Sequence, residues 1–535
     1  MKIWEKLGKV LVAVITTALL FTGCGSASDE SNSSYGKDKD ELVIYVGHGM
    51  TDGGYDPTIG FGITGGLNIF HSTLLKFDKN INLQNDLAAD YSISDDGLKY
   101  TFKLRKDVKF SDGQPLTAED VVFTYLTAKN SGSSVDLTML KSAVAKDKYT
   151  VEFTLNRKYS PFTSTTALLG IVPKHAYNKD SYADNPIGSG PFKVAQLDKG
   201  QQLILVPNEY YYGEKSKFKK ITILELDEDA ALASAKSGQL DVVMINPEYA
   251  KEKVKGMHLE RLKTVDNRGI NLPVIPEKTL KDGTIIGNNV TCDLAIRKAL
   301  NIGIDRKTII QNALNGIGVP AYGEVDGLPW FNEETVFEDN RVDEAIKILE
   351  EAGWVDTDND GIREKNGIKA EFTITGRTDD LQRYNLAVAL SEDAKKLGIN
   401  IKAEAKAWDE CKKIVRNVPT VYGSGSYSPI ALHDTNYSKL EPVGLLNISS
   451  YKNEKVDSYI EKALDATTIE EAIKNWKLAQ WDGATGISVD YPFLWIVNID
   501  HTYFVRDGLD LGDQLIHPHG HGVPIIANLN EWSWK

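Results

Sequence analysis

The chain has 535 residues, of which 25% are charged and 41% hydrophobic, and a formal net charge of −14. That length exceeds what one hydrophobic core organises, so two or three domains are expected. The acidic balance, without any Lys/Arg-rich stripe, argues against nucleic acid as a partner.

The amino terminus reads as an address. Lys2, Lys6 and Lys9 precede an apolar run from Val10 to Phe21. The run is too short to cross a bilayer comfortably, and its flanks are those of a signal peptide spanning 1–23. Phe21-Thr-Gly-Cys24 resembles the bacterial lipoprotein box, with Phe21 where Leu is usual, and makes Cys24 the expected lipidation site. Residues 1–23 carry three Lys and one Glu, so their removal takes the chain to −16. Residues 24–40 are rich in Ser, Asn, Asp and Gly and read as a flexible tether. Cys292 and Cys411 have no zinc-ligand spacing. A disulfide between them fits the count without being implied by it, and two buried free thiols are the simpler expectation.

Leu42–Val46 is a short apolar run, read as a buried strand. It delivers Gly47-His48-Gly49 into a glycine-rich loop, the kind of place where a strand end supplies a side chain to a cleft. Asp96-Gly97 predicts a tight turn. Tyr100, Phe102 and Leu104 alternate with polar residues and predict a half-buried strand. After the Ser111-Asp-Gly113 turn, Thr117 is placed as the cap of a helix that buries Val121, Val122 and Tyr125. Thr150–Leu155 alternates as another strand. His175, in Ile171-Val-Pro-Lys-His175, reads as a structural loop histidine. Asn185-Pro-Ile-Gly-Ser-Gly-Pro-Phe192 is no phosphate cradle, because no Lys-Ser/Thr pair follows the glycines. Asp229–Val243 predicts a helix stopped at Gly238 and then a strand.

Ile296, Leu300 and Ile304 repeat every four residues on one helical face, and Asp305 caps a second helix to Leu314. Asp356-Thr-Asp-Asn-Asp-Gly361 opens like a calcium loop, but Gly367 stands where an EF-hand needs Glu, so it reads as a turn. Tyr422–Val443 is a Ser/Gly/Pro/Tyr-rich segment containing Tyr427, His433 and Asp434. Asp490–Val497 reads as a late apolar strand. Near the end, His517, His519 and His521 alternate, so an extended chain would place all three on one side. Imidazole suits nickel, copper and zinc.

Several of these segments together resemble the extracytoplasmic solute-binding proteins of the peptide/nickel ABC importer family, family 5. The run Asp95-Asp-Gly-Leu-Lys-Tyr-Thr-Phe-Lys-Leu-Arg105 through Pro115-Leu-Thr-Ala-Glu-Asp-Val121 carries the resemblance, and Arg297-Lys-Ala-Leu through Asp305-Arg306 repeats it downstream. It covers nearly all of the mature chain. It implies an α/β, two-lobed periplasmic-binding-protein-like fold of the large class II type, with an extra small domain in the first lobe. The implied division is 41–75, 185–270 and 490–535 for lobe 1, 76–184 for its small domain and 271–489 for lobe 2. It implies capture of short peptides and delivery to ABC permease and ATPase subunits, as a monomer held to the membrane by its lipid anchor alone, with no required cofactor. Relatives that bind peptides often have an acid in Asp-Tyr-x-Asp-Pro where this chain has Ser426-Tyr-Ser-Pro429, a departure that weakens a simple oligopeptide reading.

Expected ligand-binding residues are His48, Arg268, Trp408, Tyr427, His433, Asp434, His519 and His521. The alternative within the family is nickel, or nickel held by a small chelator, with His48, His517, His519 and His521 as ligands. An extracytoplasmic hydrolase is the alternative of another class. It lacks support, because there is no G-x-S-x-G, H-E-x-x-H or Walker lysine motif.

Overall fold

A computed structural model describes residues 39–62, 69–440, 444–519 and 524–535. The signal peptide, nearly all of the tether including Cys24, and His521 lie outside these residues. No helix among the described residues is long and apolar enough to cross a membrane.

Two sheets dominate. The first has seven strands in the order Met257–Leu262, His501–Arg506, Val242–Ile245, Glu41–Tyr45, Lys220–Leu224, Gln202–Pro207 and Phe192–Asp198. Glu41–Tyr45 runs parallel to both neighbours, and the other pairs are antiparallel. Its apolar run is therefore buried at the centre, with Leu42 and Ile44 fully enclosed. The second sheet is antiparallel, in the order Val319–Pro320, Phe493–Asn498, Asn267–Asn271 and Val421–Ser424. A third, four-stranded antiparallel sheet contains Lys99–Leu104 and Thr150–Leu155. There Tyr100, Phe102 and Leu104 point into the core as their alternation required.

Phe493–Asn498 corrects one sequence expectation. It pairs with Asn267–Asn271 in the second sheet, and the chain returns to the first sheet only at His501. A strand apolar at five successive positions, Phe493 to Val497, carries no period-2 signal about which of two buried sheets it joins. A second difference concerns the small sheet. Its core continues through Val456, Ile460 and Trp476, on helices Glu454–Leu464 and Ile469–Gln480, which were placed with lobe 2.

Local signals held where side chains act on their own backbone. The hydroxyl and amide of Thr117 both donate to Asp120, at 3.0 and 2.9 Å, opening helix Ala118–Asn130. Val121 and Tyr125 are buried and Val122 half-buried. Asp305 accepts from the Thr308 amide at 3.0 Å and caps helix Arg306–Leu314. Arg306 is wholly buried and donates to the carbonyls of Ala321 and Trp495 at 2.9 and 2.8 Å, joining its helix to the second sheet. The Asp356–Gly361 segment is a turn in which Lys369 pairs with Asp358 at 3.1 Å and with Asp360. Cys411 is buried and Cys292 half-buried, and both are free thiols.

Candidate functional site

Two short crossings join the first and second sheets, Lys263–Asp266 and Ile499–Asp500. They are bonded to each other. The Ile499 amide donates to the Asp266 carbonyl at 2.9 Å, and the Thr264 hydroxyl donates to the Ile499 carbonyl at 2.6 Å. A cleft of about 700 Å³ opens beside them. Its first-lobe wall is formed by Tyr45, His48, Asp227–Asp229 and Met244–Tyr249, and its second-lobe wall by Thr378–Arg383 and Arg268. Asp266, His501 and His519 close the floor.

The floor is a single ionic network. Asp266 accepts from both terminal nitrogens of Arg268, from Nδ1 of His519 at 2.6 Å and from Nε2 of His501 at 3.2 Å. Burial pushes the Asp266 carboxyl up, but Arg268 and His519 outweigh it and hold the group well below the usual carboxylate range. Burial depresses His519, and Arg268 adds to that against the pull of Asp266. Arg383 is brought down to about 10 by burial and by the like charge of Arg268. Gly423 makes this crowding feasible. A Cβ there would lie 2.7 Å from His519 Cε1, 2.9 Å from Arg383 Nη2 and 3.0 Å from Arg268 Nη1.

The structure separates the expected site residues into three groups. His48, Arg268 and His519 line the cleft. His48 is exposed, with Nδ1 2.6 Å from Glu225 Oε1. Trp408 reaches the cleft indirectly, since Arg383 lies over its ring at 5.7 Å and Arg377 at 5.2 Å. Tyr427, His433 and Asp434 do not line it, and His521 lies outside the described residues. Tyr427 is buried against Phe77 and donates its hydroxyl to the Ile516 carbonyl, anchoring the loop that carries the histidines. His433 pairs with Asp434 at 2.9 Å and stacks on Tyr437.

His517 does not line the cleft with His519, contrary to what the alternation argument required. His517 is fully buried, 3.1 Å from His501 Nδ1 and 3.3 Å from Gln514, and burial with the neighbouring His501 holds it well below the ordinary histidine value. Its backbone bridges Lys263 and Val265 at 2.9 and 2.8 Å, whereas the His519 amide donates to Gly425 at 2.6 Å. These different docking partners set the two side chains in different environments. His175 pairs with Asp112 at 2.6 Å and takes no part in the cleft.

Asp266, Arg383 and His501 were missed. Asp266 and Arg268 are two apart at a strand start, so their side chains fall on one side, a signal present in Asp266-Asn-Arg268. Nothing local marks Arg383 or His501, which meet the others only through the fold.

Two sheets joined by paired crossings, with a ligand-sized cleft between them, define a two-lobed binding protein. The model of the bacterial extracellular solute-binding proteins, family 5, matches residues 82–454. The chain belongs to that family. Protein XP55 of Streptomyces lividans is 32% identical over 93% of this chain and 91% of its own. The oligopeptide-binding protein AppA of Bacillus subtilis is 31% identical over 87% and 86%, and its structure with a nonapeptide superposes with a TM-score of 0.66, covering 92% of this chain and 99% of that one. NikZ of Campylobacter jejuni, solved with Ni(L-His), is 27% identical with a TM-score of 0.74, covering 92% and 99%.

Proposed function

We propose that this chain is the substrate-binding component of an ABC importer. It captures short peptides between its lobes and presents the closed complex to a permease driven by ATPase subunits. The observation that carries this reading is the cleft at the paired crossings, where a ligand contacting both walls shifts the balance towards closure. Its volume is that of a small-ligand site. Arg383 and Arg268 on one wall supply planar donors for a ligand carboxylate. Likeness to AppA supports peptide as the ligand class. The chain binds and releases its ligand unchanged, as a monomer, outside the cytoplasm, tethered through lipidated Cys24.

A second reading has a specific observation in its favour. His48 and His519 line the same cleft, and NikZ was solved with a nickel–histidine complex. In this reading the cargo is nickel in a small chelator, with imidazole nitrogens from those two residues reaching it.

A thermal-shift titration of the purified protein separates the two, because a ligand of the native state raises the melting point by mass action. Stabilisation by di- to pentapeptides without any shift from nickel or nickel–histidine supports the peptide reading. Stabilisation by nickel–histidine that disappears in His519→Ala, with none from peptides, replaces it with the second.

A further inference from the structure

The two walls of the cleft differ in charge. On the first-lobe wall, Asp227, Glu228, Asp229 and Glu248 line the cleft, and Glu225 stands behind His48. No Lys or Arg pairs with any of these five among the described residues. Asp227 instead caps a helix through the Ala230 amide at 2.8 Å. Asp229 accepts from the Tyr249 hydroxyl at 2.7 Å, and Glu228 accepts from Asn246. Burial raises the Glu228 carboxyl, and its neighbours Glu248 and Asp229 add to the rise. Asp227, Asp229 and Glu248 remain exposed to whatever enters.

The second-lobe wall is balanced. Asp379 pairs with Arg377 at 2.7 Å, Asp380 with Arg383 at 2.9 Å and Asp266 with Arg268. Asp500, between the walls, is paired with Arg261 at 2.6 Å. The uncompensated charge of the cleft therefore sits on one wall and is negative. Opposite charge across a partly desolvated gap selects for ligand charge and orientation, and steers encounter.

Resting on the peptide reading, we infer that the cleft selects short peptides of net positive charge, bound with an ammonium or guanidinium group against the Asp227–Asp229 and Glu248 wall and the carboxylate towards Arg383. This assigns Asp229 and Glu248, which no sequence motif marks, as specificity-determining residues. It also supplies an anionic contact for the ligand where Ser426-Tyr-Ser-Pro429 lacks the expected acid.

The test is calorimetric titration of the purified protein with three tripeptide series of equal length, bearing Lys or Arg, only neutral side chains, or Glu. The expected order is basic over neutral over acidic, with at least tenfold between the extremes at low salt. That ratio should shrink several-fold between 20 and about 500 mM salt as the field is screened. In Asp229→Asn/Glu248→Gln, with an unchanged melting point for the unliganded protein, the basic-over-acidic ratio should fall towards one. Equal affinities, or a preference for the acidic series, would overturn the inference while leaving the peptide reading intact. Binding by nickel–histidine with none by any tripeptide would overturn both.

Discussion

Asp266 accepts a hydrogen bond from Nδ1 of His519 at 2.6 Å across 253 residues of chain. The same carboxylate holds Arg268, at the start of the second sheet, and His501, at the start of a first-sheet strand. One anion thus fastens both lobes and the histidine loop at the point where the chain crosses between them.

Replacing that anion should be costly. Asp266→Asn leaves Arg268 buried without its counter-charge and His519 without its carboxylate acceptor, a change worth about 3–5 kcal/mol when one partner of a buried pair is removed. Because the folded carboxyl lies well below its ordinary value, its contribution is complete above the unfolded value near ~3.9 and is lost as pH falls through the folded value. Urea unfolding should show the full deficit at pH 7 and a narrowing one below about pH 4. A deficit independent of pH would contradict this account.

Gly423→Ala should damage binding more than folding. The new methyl meets the ends of three flexible side chains, His519, Arg383 and Arg268, which can move aside. The melting point should stay within a few degrees while ligand affinity drops about tenfold or more, or 1.4 kcal/mol upward. Gly425→Ala is the contrasting case. Its φ is +131° and the added Cβ would collide with the Val265 carbonyl, so about 1–3 kcal/mol of stability should be lost as well.

Gly303→Ala sets helix propensity against packing. Alanine gains up to about 1 kcal/mol of propensity in helix Leu294–Gly303. A Cβ there would lie 2.8 Å from both Ala345 Cβ and Leu397 Cδ2 in a closed core. Overpacking of that kind costs about 1–3 kcal/mol, so denaturant titration should find net destabilisation. A more stable variant would show that the helices can separate without penalty.

Glu324 gives an opposite pH signature. It is fully buried, accepting from the hydroxyls of Thr435 at 2.6 Å and Ser424 at 3.1 Å, and burial raises it to about 8. A raised folded value means that its stabilising contribution is present below about pH 4.3 and is lost as pH rises through about 8. Glu324→Gln cannot ionise. Unfolding at pH 5 and pH 8 should therefore show the variant gaining on the parent by more than about 1.4 kcal/mol at the higher pH. An equal gap at both values would sink the argument.

Residues whose partners are near in sequence were legible without the fold. The alternation Tyr100-Phe102-Leu104, the Thr117 and Asp305 caps and the apolar strand after the tether all act through their own backbone or one face. The resemblance of the 95–121 run to a family likewise identified the architecture. The cleft was less legible. His48 and His519 were found because a strand end and a histidine cluster leave marks in the sequence, and Arg268 from its loop context alone. His517 was misplaced because period-2 alternation says which side a residue takes only in a regular strand, and Tyr427 because a Ser/Gly/Pro/Tyr-rich segment marks a loop without saying where its side chains go. Here each of the two histidines docks on a different segment. Asp266 as counter-ion, Arg383 opposite it and the choice of sheet by Phe493–Asn498 depend on elements more than a hundred residues apart. Only the tertiary structure decided these, because buried charge is stable only where distant groups converge to pair it.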